Sequence, residues 1–173
     1  MLLGSLASEP PAVQERMLAT VLQSRASLII TSSTLLLICL TAAIASGTRW
    51  AWFWAGISSA IIAWRLIYPV VAARQPVGRK RAGIMIASAL LFMLFGVGSA
   101  LAIESQDLAL STMSVSAVLG IVAGLASRWA ALPRVAIGTM VLASLPPIAA
   151  LALLGGPHLV AAVATALVVA SIA

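Results

Sequence analysis

From Val135 to Ala173 the chain carries no Asp, Glu, Lys or Arg, and the same is true of Ala26–Ser46, Gly83–Ile103 and Leu108–Ser127. Runs of this length read as membrane-spanning helices, because crossing the hydrocarbon takes about 20 residues and leaves a charge without solvation. The composition agrees. Of 173 residues 62% are hydrophobic and 8% charged, where soluble domains carry about 45–50% and 25%. A water-soluble globule and a disordered chain are both excluded.

The expected architecture is all-α: a polytopic bundle of six transmembrane helices over about 26–46, 50–70, 83–103, 108–127, 135–154 and 159–173. Six spans would use roughly 120 residues, which leaves no room for a soluble domain of ordinary size (about 50 residues or more). The membrane module is residues 26–173, preceded by a segment at 1–25. In that segment Val13, Met17, Val21 and Leu22 share one side of a helix beginning near Ala12. It is read either as an interfacial helix or as a frayed terminus. Ala43-Ile44-Ala45 has the form of a signal-peptidase site. The long leading region and long apolar run favour a retained first helix. The last run is short for a span and ends without a basic anchor, so the chain reads as cut off inside its sixth helix.

Charge sorts by side. Arg16, Arg25, Arg65, Arg74, Arg79, Lys80, Arg81, Arg128 and Arg134 fall on one side, against Arg49 with Glu104 and Asp107 on the other. Basic residues collect in cytoplasmic loops, which predicts both termini inside (N-in/C-in). The net charge of +6 is thus a topology signal, and no nucleic-acid partner is expected. Trp50, Trp52, Phe53 and Trp54 mark one end of the second span, and Trp64 with Tyr68 the other, as amphipathic rings at two interfaces would. Arg65, about one turn from that end, is expected to snorkel outward.

Catalytic, cofactor-binding and metal-binding residues are all absent from this reading. The chain lacks H-E-x-x-H, G-x-S-x-G, P-loop and Rossmann patterns, and its single His and single Cys exclude a His cluster or an internal disulfide. His158 reads as an interfacial polar residue, Glu104 and Asp107 as a solvated cap, and Cys39 as a small hydrophobe. Packing signals are richer. Thr112, Ser116, Gly120 and Gly124 recur at four-residue spacing, a stripe that lets helix backbones approach closely, within the bundle or between two subunits of a homodimer. Ala162, Ala166 and Ala170 repeat the spacing. Thr31-Ser32-Ser33-Thr34 would line a pocket or bond back to the preceding turn. Arg74, Arg79, Lys80 and Arg81 are expected to contact the headgroups of anionic lipids. Pro146-Pro147 is expected to kink or locally unwind the fifth span.

The second half reads Gly120-Ile-Val-Ala-Gly124-Leu-Ala-Ser-Arg128-Trp-Ala-Ala-Leu-Pro133-Arg134-Val-Ala-Ile137-Gly, then Leu145-Pro146-Pro147 and Gly156-Pro157-His158-Leu159. This stretch resembles the N-terminal multi-helix membrane region of bacterial PAS/GGDEF/EAL signalling proteins that make or degrade cyclic di-GMP. The small-residue helix, the Arg-x5-Arg turn with its Pro and the Leu-Pro step carry the resemblance, over about residues 110–173. It implies a sensor or anchor input module in the bacterial inner membrane, joined to a cytoplasmic output domain, with a last helix that relays a tilt or packing change. Neither Gly-Gly-Asp-Glu-Phe nor Glu-Ala-Leu occurs here, so no catalytic residue carries over. The alternative is an autonomous multi-pass protein, a transporter fragment or an accessory subunit.

Overall fold

The computed structural model describes residues 25–71, 77–128 and 133–172. The segment at 1–24, with the candidate interfacial helix, lies outside the described residues, as does Arg74. The described chain forms six helices and no strand: α1 (Arg25–Ser46), α2 (Arg49–Val71), α3 (Val77–Glu104), α4 (Leu108–Arg128), α5 (Pro133–Leu154) and α6 (Pro157–Ile172). Helices α1 to α5 are long and apolar enough to cross a membrane. The chain is a multi-pass membrane protein. Helix α6 has 16 residues, about 24 Å, against a hydrocarbon core about 30 Å thick.

Helix ends follow from local chemistry. Gly47 takes φ 61° at the end of α1 and donates its N–H to the Ala43 carbonyl (3.0 Å), a left-handed C-cap that glycine adopts at little cost. Asp107 caps α4, its Oδ1 accepting from the N–H groups of Ala109 (2.8 Å) and Leu110 (3.1 Å). Gly155 and Gly156, both at positive φ, turn the chain into Pro157 at the start of α6. The largest departure from the expected boundaries is α3, which starts at Val77 rather than near 83. Arg and Lys are good helix formers, so the helix runs on through Arg79, Lys80 and Arg81 after the apolar residues end.

Helix α3 is the centre of the bundle, half buried along its span where the others are a third or so. It packs against α2, α4 and, most extensively, α5. Gly98 lets it sit beneath the Trp54 ring, whose Nε1–H donates to the Leu94 carbonyl (3.1 Å). Trp54, Leu91, Phe92, Phe95, Val118, Val122 and Met140 form the main core. Between α1 and α2 the buried positions alternate in steps of three and four: Ser32, Leu35, Cys39 and Ala42 against Ala51, Ala55, Ser58, Ile62 and Arg65. That spacing is an antiparallel knobs-into-holes seam. The outer surface is as apolar as the core, with Ile30, Leu37, Ile44, Phe53, Leu153 and Leu167 exposed. Only lipid suits such a surface.

Candidate functional site

Arg65 does not snorkel outward. It is 3% exposed, and its guanidinium carbon lies 5.9 Å from the centre of the Phe92 ring. Two contacts fix the register of α2 against α3: Tyr68 covers Gly83, and Trp54 covers Gly98. Position 65 therefore faces about residue 86 of α3, and Phe92 lies roughly 9 Å further from the basic end. Side chains lean toward the N-terminus of their own helix. In this antiparallel pair Arg65 leans inward and Phe92 leans back to meet it. The register with α1 is set by Cys39, whose Sγ lies 3.7 Å from the Ser58 Oγ. Seven residues along each helix from that pair are Ser32 and Arg65, one repeat of the seam. Ser32 is buried and its Oγ makes no hydrogen bond. A fixed positive charge, an aromatic face and a hydroxyl thus share one layer of α1, α2 and α3. The layer has the chemistry to hold a carboxylate or phosphate oxygen, and the ring stabilises the cation where water is excluded.

A second polar layer lies nearer the opposite end of the bundle. Pro146 and Pro147 have no N–H to offer the carbonyls four residues earlier, Leu142 and Ala143. A Cβ on Gly96 would stand 2.7 Å and 2.8 Å from those two oxygens. The hydrogen that glycine has in that direction points at both, a Cα–H···O contact that offsets part of the lost bonding. The expected local unwinding is not found: α5 is helical through both prolines. The backbone of α3 supports it where its own ladder is interrupted. Ser99, one turn on from Gly96, and Ser114, opposite it across the α3–α4 turn, are buried with no hydrogen bond to their Oγ atoms.

The other sequence-derived candidates are scattered. Thr112, Ser116, Gly120 and Gly124 are exposed on the outer face of α4, and a Cβ on either glycine would meet nothing within 4 Å. The stripe is therefore not internal packing among the described residues. In α6 the buried positions are Ala162, Thr165 and Val169, so the Ala162–Ala166–Ala170 spacing is only partly used. Arg79 is exposed, its carbonyl receiving the Tyr68 hydroxyl (3.5 Å); Lys80 and Arg81 follow it on the α3 backbone. In the hydroxyl run, Thr34 bonds back to the Ile30 carbonyl (2.9 Å) and Ser33 is exposed, leaving Ser32 facing inward. Cys39 is buried beside Ser58, and His158 is exposed in the first turn of α6. No group of three metal-ligating side chains converges among the described residues.

Sequence reasoning missed Gly96, Gly98 and the inward course of Arg65. The signals were present: two glycines two apart at the centre of a span, and an arginine seven residues after Ser58 on an alternating three-four pattern. No family model, no curated protein and no solved structure matches this chain.

Proposed function

We propose that the chain is the membrane-embedded sensor and anchor module of a bacterial signalling protein, set in the inner membrane with both termini cytoplasmic. The proposed output is of the PAS/GGDEF/EAL, cyclic di-GMP type, linked after the last helix and carrying the catalysis that this chain does not. The observation that carries the reading is the seating of α6. Its buried residues are Ala162, Thr165 and Val169, one narrow stripe, and it packs chiefly on the proline-bearing α5. A relay helix needs that arrangement: little burial to give up on moving, and contact with the element whose ladder is already interrupted.

A fusion tests it. The chain joined after Ala173 to a diguanylate cyclase domain should direct it to the inner membrane. Thr165→Leu, which overfills a buried position of α6, should change cyclic di-GMP output at least about threefold, while lipid-facing Val168→Leu should not. Equal output from both, with membrane insertion intact, would leave the chain without a relay role. Arg65 favours a second reading, an accessory subunit or transporter element, because an ionisable side chain inside a bundle often marks a path for a charged substrate. Uptake of an anionic solute by vesicles holding the chain alone, lost in Arg65→Gln, would favour that reading.

A further inference from the structure

We propose that the outer face of α2 near its first turns binds one anionic glycerophospholipid as a defined site. Arg49, Trp52, Phe53, Gly56 and Ile57 line a shallow hollow of about 450 Å³ there, open toward the bilayer. Their spacing, i, i+3, i+4, i+7 and i+8, places them on one helical face. Trp52 and Phe53 are exposed walls, Ile57 is the inner end, and Gly56 is the floor, where an added Cβ would meet nothing within 4 Å. Arg49 opens α2 and is exposed. With a rise of 1.5 Å per residue, Trp52 lies about 4.5 Å and Ile57 about 12 Å deeper than Arg49.

That order matches a phospholipid from head to tail. The guanidinium meets phosphate oxygens as a paired donor. The indole, amphipathic, sits at the level of the glycerol esters. The notch above Gly56, between the rings and Ile57, takes the upper part of an acyl chain. Net negative charge on the lipid is selected because Arg49 is the basic residue at this end of the bundle among the described residues, and a zwitterionic headgroup would bring a second cation beside it. The attraction is therefore local to a single position, unlike the broad basic band at the opposite end.

Photolabelling locates the lipid. The full chain in phosphatidylcholine nanodiscs is given a trace of phosphatidylglycerol with a diazirine in its acyl chain, and labelled peptides are mapped by mass spectrometry. Label should concentrate on Trp52–Ile57 and be competed about tenfold better by phosphatidylglycerol than by phosphatidylcholine, whose choline cation offsets the phosphate charge beside Arg49. Arg49→Gln should erase that preference. Gly56→Leu should displace the label from this segment at unchanged thermal stability, since its side chain enters open space. Label spread evenly over the exposed helix faces, equal competition by the two lipids, or a preference that survives Arg49→Gln would each overturn the proposal.

Discussion

Gly96 and Gly98 stand two residues apart, which on a helix is about 200°. They therefore thin α3 on opposite sides, one toward the carbonyls of α5 and the other toward the indole of α2. The four-residue spacing of Gly120 and Gly124 thins one face only, and that face of α4 is open. The prediction is a contrast. Gly96→Ala puts a methyl against two backbone oxygens that cannot rotate away, so α5 must shift, at a cost of about 2–3 kcal/mol. Gly120→Ala should be neutral or slightly stabilising, since alanine is the better helix former. Reversible unfolding in mixed micelles measures both, and equal effects would mean the α3–α5 contact is not this close. Why sequence reading singled out Gly120 and Gly124 and passed over Gly96 and Gly98 has a physical answer. A stripe at i and i+4 is the recognised mark of two helices in contact, whereas the i and i+2 pair serves a helix held between two neighbours, and centrality in a bundle leaves no periodic trace along the chain. Arg65 was misread for a related reason. Distance from the helix end suggested snorkelling, but lean direction decides, and α2 runs so that its side chains lean away from the basic end.

At the level of the helices, the order and approximate positions of the helices were legible because hydropathy and charge report where lipid begins and ends. Which face turns inward was not. Leu35 is buried and Leu37 exposed, Ile62 buried and Ile57 exposed, yet each pair is chemically alike, because lipid and core make the same demand on a side chain. What distinguishes the inward faces is small and polar: Ser32, Cys39, Ala42, Ser58, Ser99 and Ser114 are all buried. Ser33, Thr34 and Thr41 are exposed singly, whereas Thr112, Ser116, Gly120 and Gly124 form an outward stripe, and its sense is decided by measurement. In a homodimer built on it, Gly120→Leu and Gly124→Leu would each hold the partner helix off, and disulfide crosslinking through Ser116→Cys should fall by about tenfold while monomer stability is unchanged. Unchanged crosslinking would assign the stripe to lipid.

Across the whole molecule, orientation rests on charge rather than packing. The adjoining helices alternate in direction, as the contacts of Tyr68 with Gly83 and of Trp54 with Gly98 require for α2 and α3, so one end of the bundle collects the basic residues. Among the described residues, removing the buried Arg65 from the tally leaves Arg25, Arg79, Lys80, Arg81, Arg128 and Arg134 near the helix ends on that side, against Arg49 on the other. The asymmetry survives because the insertion rule counts residues close to span ends, and Arg49 is balanced by Glu104 and Asp107 only weakly. Reporter fusions after Gln75 and Ala131 should therefore behave as cytoplasmic, and fusions after Gln106 and Gly156 as external. The Gln106 junction is the most informative of these. It lies between α3 and α4, with Arg79, Lys80 and Arg81 at the far end of one helix and Arg128 at the far end of the other. A cytoplasmic signal there would place both sets of basic residues outside, against the charge rule at once in two helices, and the N-in/C-in orientation would have to be abandoned together with any output domain on the inner side.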